Sequence, residues 1–172
     1  MEDIAAAVGI ARPNLYRYFP NKESLVLDVL LEEVRSIHRR RRRRLKLEGP
    51  VAAVLVDAVV LGFEEAHNEE MFAALMASNT VDFTDLFSGS TDIFHAVEAE
   101  FWEPLLDYGR DRGELREDLT NAEMVRWISF ASFLFVGREE FVRVPAAVRY
   151  YTETFVVPAL LRPANAQTES TG

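Results

Sequence analysis

In every long segment of this chain the apolar residues return at three- and four-residue intervals, and almost nowhere do they alternate. Leu25, Val29, Leu30, Val34 and Ile37 follow that spacing, and from Val51 to Phe63 the apolar side chains run nearly all the way round a helix, broken by Asp57. A period near 3.6 gathers side chains on one helical face, whereas a half-buried strand needs a period of 2. The fold class this implies is all-α. With 172 residues, 49 % of them apolar, the chain is long enough to bury a substantial core.

Helix breaks are legible too. Gly9 closes a short helix from about Glu2 to Val8, and a second runs from about Arg12 to Phe19, with Pro13 tolerated in the first turn and Pro20 beyond its end. Asn21 can cap a long third helix that continues into the run Arg39–Arg44. Pro50 opens a helix from Val51 to about His67, nearly all apolar, so it must be covered on most sides; Asp57 and Glu64 share its one narrow polar edge. A shorter helix around 69–77 and a Ser-, Thr-, Asp- and Gly-rich loop over 78–90 precede a helix from Thr91 to Arg112, bent or interrupted near Pro104. Thr120 and Glu123 form a capping box for a helix to about Val136, and a last helix runs from Pro145 to about Leu161, bent or ended by Pro158. From about residue 163 the polar composition predicts a disordered tail.

The absence of cysteine excludes a disulfide framework, a thiolate metal cluster and a cysteine nucleophile. No apolar run reaches the length of a bilayer span, and the acidic Met1-Glu2-Asp3 start is unlike a secretory signal, so no membrane association is expected and the cytoplasm is the default compartment. A net charge of −9 seemingly argues against a polyanionic partner, but it conceals a boundary. Residues 1–46 hold 11 Lys/Arg against 6 Asp/Glu, a net of +5, and residues 47–172 hold 8 against 22, a net of −14. A basic segment joined to an acidic one suggests a nucleic-acid module on a body with another task. The division expected is 1–46 and 47–172.

Helix, three-residue glycine turn and helix within Glu2–Phe19 is the layout of a helix-turn-helix, whose second helix enters the major groove. Leu15 and Phe19, one turn apart, are expected to face Ile4 and Val8 in a miniature core. Arg12, Pro13, Asn14, Tyr16 and Arg17 then project outward, with Tyr18 and Lys22 just beyond. Arginines at 12 and 17 suit guanine edges or phosphates, Asn14 and Tyr16 offer neutral donors, and Lys22 adds an ammonium beside a helix N-terminus. Tyr18 can equally cover the small core. Six consecutive arginines wrap fully round a helix, so Arg39–Arg44 cannot form one groove-facing stripe and reads better as solvated or paired with the acidic body.

The string from Ile4 to Leu25, and above all Leu15-Tyr16-x-Tyr18-Phe19-x-x-Lys22-Glu23-x-Leu25, closely resembles the signature of TetR-family transcriptional regulators. The resemblance implies backbone contacts at Tyr16, Tyr18 and Lys22, a homodimer on palindromic double-stranded DNA, and a helical body that binds an effector, usually in a repressor. It also implies a small polar cap where this chain has Ala11, and a further helix ahead of Glu2, so the DNA-binding unit is expected to be incomplete and loosened.

An apolar effector is expected among aromatic pairs at helical spacing: Phe63 with His67, Phe94 with Phe101, and Trp127 with Phe130, oriented by Ser129, His67 or Asn79. The two-fold contact is expected on the helices over 121–136 and 145–161, through Phe133, Val148, Thr152, Phe155 and Ala159. Glu64 with His67 and Asp92 with His95 have metal-ligand spacing, but two-residue matches are common by chance, and neither metal nor cofactor is called for. Ser88, Ser90, Asp92 and His95 lack the elbow or strand a hydrolase would need, so no enzyme is expected. The alternative to a regulator is a helical ligand-binding or interaction protein that does not bind DNA.

Overall fold

A computed structural model of the chain describes residues 1–77, 92–136 and 138–163. Within them lie nine helices: α1 (Glu2–Ala7), α2 (Arg12–Tyr18), α3 (Lys22–Arg44), α4 (Val51–His67), α5 (Glu70–Ala77), α6 (Asp92–Asp111), α7 (Asn121–Val136), α8 (Glu139–Arg143) and α9 (Pro145–Tyr151). The expected loop over 78–90 and the expected tail beyond 163 lie outside the described residues. The fold is all-α, a helix-turn-helix followed by a helical bundle; among the described residues the one β-type pairing is an isolated bridge between Leu115 and Leu161. No described helix is long and apolar enough to cross a membrane.

Helix α4 is the centre of the bundle. Val51, Leu55 and Ala58 are wholly buried, against Trp102 and Leu106 of α6, Met124 and Ile128 of α7, and Val148 of α9. Each fully buried aliphatic side chain here contributes about 1.5–3 kcal/mol, which is why a nearly all-round apolar helix must be interior. A second cluster sits at the end of the bundle nearest the DNA-binding segment, where Leu30, Leu31, Val34 and Ile37 of α3 meet Ala66, Phe72, Phe94 and Val97.

Local signals act as the sequence implies. The Asn21 carboxamide accepts the Ser24 N–H at 2.7 Å and starts α3; the Glu123 carboxylate accepts the Thr120 N–H at 2.7 Å and starts α7. Pro104 does not interrupt α6. A proline there leaves the carbonyl of Glu100, four residues back, without its helical N–H, and the guanidinium of Arg42 donates to that carbonyl instead.

The last helix differs from expectation. It stops at Tyr151, continues as a π turn over Thr152–Val156 and a tight turn over Val157–Ala159, and is preceded by the short α8. Pro158 cannot donate and its ring crowds the carbonyl four residues earlier, so the helix widens ahead of it: Val157 N–H reaches back five residues to Thr152 O, while the Thr152 hydroxyl donates to Val148 O at 2.7 Å. The chain end is then stapled by Arg116 N–H to Leu160 O and Arg162 N–H to Glu114 O, both 2.9 Å.

The miniature core of the helix-turn-helix is smaller than the spacing suggests. Over residues 1–20 only Ala5 and Leu15 are buried; Ile4 and Phe19 are half-buried, and Val8, beyond the last turn of α1, is 61 % exposed. Amides of α1 and α2 should therefore exchange with solvent roughly 100-fold faster, or more, than those of α7. Equal protection in hydrogen exchange would show that another element covers them.

Candidate functional site

The turn between α1 and α2 is made by Gly9, whose φ of +69° lies in the region that side chains disfavour. Leu15 anchors the inner face of α2, and the outer face presents Arg12, Pro13, Asn14, Tyr16 and Arg17, all exposed, with Tyr18 and Lys22 exposed beyond its end. All seven residues expected at the DNA face lie on solvent. Arg17 donates to the Tyr18 hydroxyl at 3.1 Å, its guanidinium 5.0 Å from that ring, so a cation and a phenol hydroxyl are held together where one phosphate can meet both. The Arg12 guanidinium lies 5.3 Å from the Tyr16 ring and pairs with Glu2 of α1. The Tyr16 hydroxyl and then Glu2 raise its pKa further, so Arg12 is a cation at every working pH.

The arginine run faces the other way. Arg40 binds Glu65 and Glu69 at 2.8 Å, Arg44 binds Glu64 at 2.9 Å and Glu65 at 2.7 Å, and Arg39 pairs with Glu32 in its own helix at 3.0 Å. Two cations of the run, Arg40 and Arg44, are thus held by Glu64 and Glu65 of α4 and by Glu69 just beyond it. Asp57, further along that edge, takes Arg149 of α9 at 2.7 Å.

Arg41 is buried. Its Nε and Nη2 donate to the Ala58 carbonyl at 3.1 and 2.7 Å, and the guanidinium lies 3.8 Å from the centroid of Phe101 and 4.7 Å from that of Trp102. The approach is tight at Gly62, where a Cβ would lie 3.0 Å from the guanidinium carbon and Arg41 would have to shift by a few tenths of an ångström. Beside Arg41 lies a cavity of about 60 Å³ bounded by α3, α4, α5, α6 and α7. Phe63, Phe72, Phe94 and Phe133 supply much of its apolar wall, and its polar side holds His38, Arg41, Glu98, Ser129 and Ser132. Glu98 is the hub: one carboxylate oxygen lies 3.3 Å from His38 Nε2, and the other accepts from Ser129 Oγ at 2.7 Å and Trp102 Nε1 at 3.0 Å. Burial alone would raise the Glu98 carboxyl, but His38, the Arg41 charge and the Ser129 hydroxyl outweigh it and hold the pKa at about 2. Burial also lowers the His38 pKa against the pull of Glu98, and brings Arg41 down to about 10.

Comparison with known proteins bears on the N-terminal segment and on the fold. Residues 1–29 match the family model of the bacterial regulatory proteins of the tetR family. The fold is similar to the crystal structure of the TetR transcriptional regulator SCO0520 from Streptomyces coelicolor, with a TM-score of 0.50 and 21 % identity over 95 % of this chain and 87 % of that one. The family model thus covers the DNA-binding segment, and the likeness to the solved regulator covers the fold of the whole chain. Comparison with curated proteins gives no match.

The aromatic pairs expected at one effector site separate. Phe63 and Phe94 line the cavity. Phe101 lies one layer behind, stacked on His38 at 4.7 Å, and His67 is exposed, stacked on Phe63 at 6.0 Å. Trp127 and Phe130 are 41 % and 50 % exposed on the outer face of α7, because the inward row of that helix is Met124, Val125, Ile128, Ala131 and Phe135. Ser129 does reach the cavity, through Glu98; Asn79, Ser88 and Ser90 lie outside the described residues. The expected two-fold row is also divided. Val148 and Thr152 are wholly buried and Phe133 lines the cavity, whereas Phe155 and Ala159 are exposed, since the π turn rotates everything after Thr152 relative to α9. Periodicity missed His38, Arg41 and Glu98, although a signal was there: His38 and Arg41 continue the apolar row of Leu30, Val34 and Ile37, and Glu98 sits four residues from both Phe94 and Trp102.

Proposed function

We propose that this protein is a homodimeric, ligand-responsive repressor: residues 1–46 hold a palindromic operator, residues 47–172 carry the effector site and the two-fold contact, and a small, largely apolar effector releases the DNA. One observation carries the reading. Helix α3 begins at Lys22, on the proposed DNA face, and about four turns later gives Val34, Ile37, His38 and Arg41 to the cavity wall. That is roughly 20 Å along a single rigid element, at 1.5 Å per residue. A molecule that pushes the cavity wall tilts the helix that positions α2, and it releases DNA only by binding better to the tilted state, since equal affinity for both states shifts nothing.

Arg12, Pro13, Asn14, Tyr16, Arg17, Tyr18 and Lys22 form the proposed contact set, with Arg12, Arg17, Lys22 and the two tyrosines holding the backbone and Arg17 also reaching a base edge. The proposed two-fold contact combines the outer face of α7, at Trp127, Phe130 and Leu134, with Tyr150, Tyr151 and Phe155 at the end of the chain. Trp127 ties the two parts together by donating to the Val156 carbonyl at 3.1 Å. The direct test is selection of a two-fold-symmetric site from random DNA, followed by a screen for compounds that release it. A charge in the centre of the patch should separate the subunits, so Phe130→Glu should sediment as a 19.6 kDa monomer and lose nearly all affinity for a palindrome. A dimer that survives this substitution would move the contact elsewhere.

A further inference from the structure

The cavity wall says more about its ligand than that it is apolar. Its charges already balance, since Glu98 is a carboxylate and Arg41 a guanidinium, so a ligand carrying either sign meets a like charge as well as an opposite one. Two polar positions are not fully used. The Ser132 Oγ is buried and, among the described residues, has no hydrogen-bond partner. The Glu98 oxygen facing His38 takes one contact, at 3.3 Å, while its other oxygen takes two shorter ones. An acceptor that can take another proton and a hydroxyl that can donate one are what an alcohol needs on its two sides. Ethers and ketones lack the donor, and amines and carboxylates bring a charge.

We infer that the cavity takes a small neutral apolar molecule bearing one hydroxyl, which donates to Glu98 and accepts from Ser132 while its carbon body lies among Phe63, Phe72, Phe94 and Phe133. The inference rests on the effector reading above and narrows it to a class. A volume of about 60 Å³ exceeds the ~10–15 Å³ that a cavity needs to hold one water and falls well below the ~150 Å³ of an engineered benzene-binding cavity, so the fit is to an alcohol of about three heavy atoms. Among the lining residues, the partly buried Phe133 and Val136 are the ones that a longer body would displace.

The chain has two tryptophans, and they report from different places: the Trp102 indole N–H is bonded to Glu98, and Trp127 lies on the outer surface. Titrations of the full-length protein with ethanol, its isomer dimethyl ether, ethylammonium and acetate, followed by the two indole N–H resonances, give the test. Ethanol should shift Trp102 and leave Trp127 in place, the ether should bind about 5- to 10-fold more weakly, and the two ions should bind more weakly still. Ser132→Ala should bring ethanol down to the level of the ether, a loss of about one hydrogen bond. Equal binding of ether and ethanol, or an unchanged preference in Ser132→Ala, overturns the hydroxyl class and leaves the effector cavity standing. Tighter binding of ethylammonium or acetate overturns the neutral class in the same way. If none of the four moves Trp102, the class and the effector reading of this cavity fall together.

Discussion

Replacing Arg41 by alanine should cost about 3–5 kcal/mol of folding stability, the range for leaving a buried charge uncompensated and opening a void in the core. The side chain is 4 % exposed, covers Phe101 and Trp102, and its charge favours the buried Glu98 carboxylate across the cavity wall without a direct bond to it. Truncation leaves that carboxylate in the bundle without its guanidinium and opens a void against two aromatic rings. The double variant Arg41→Met with Glu98→Gln, neutral and of similar volume, should recover most of the loss, because removing both charges avoids the desolvation penalty that removing one exposes. The same group sets the acid response. Glu98 has a pKa of about 2 in the fold against an ordinary 4.5, so the unfolded chain binds more protons between these values; its contribution, about 3 kcal/mol, is complete above pH 4.5 and drains away as pH falls towards 2. His38, held neutral by burial, adds a loss that begins earlier, as pH falls below its ordinary 6.5. Urea midpoints at one protein concentration between pH 7 and 3 should show both steps, and Glu98→Gln should flatten the lower one. Arg41→Ala with a midpoint close to that of the parent would refute the buried-charge account.

Where local chemistry decides structure, the sequence was readable. Gly9, Asn21, Pro50 and the Thr120–Glu123 box each set a helix end through a backbone requirement that no tertiary contact has to supply, and the helices begin where those residues put them. Pro104 was read as a bend or an interruption because its effect depends on a distant partner: Arg42 satisfies the carbonyl that the proline abandons, and the helix runs on through it. Pro158 acted one turn earlier than its position suggests, and one extra residue in that turn is enough to part Val148 and Thr152 from Phe155 and Ala159. The cavity was half legible for a related reason. A periodic row says which aromatics point inward, as Phe63 and Phe94 do, but not which of two inward directions a central helix presents to a given neighbour, and charged residues on an apolar row are hidden from a reading that sorts side chains by hydrophobicity.

The charge of the DNA-binding segment leads to an expected salt dependence that differs from the one its composition suggests. A net of +5 over residues 1–46 includes the six arginines of Arg39–Arg44, and Arg40 and Arg44 are bound to Glu64, Glu65 and Glu69 while Arg41 is buried. On the proposed contact set, Arg12, Arg17 and Lys22 meet phosphates in each subunit, so a dimer neutralises about six. With a slope near −0.9 per phosphate, log affinity should fall with log salt at about −5, a loss on the order of 10³-fold between 50 and 200 mM. Lys22→Ala removes one contact per subunit and should reduce that slope by about 2 while weakening every DNA sequence alike; Arg17→Ala should also change base preference. Glu2→Gln should strengthen binding, since Arg12 then leaves no partner behind on reaching a phosphate. Arg44→Ala is the deciding control. Its charge serves the acidic edge of α4, so the slope should stay as it was, and a drop as large as that of Lys22→Ala would mean that the arginine run turns from α4 to the DNA when the operator binds.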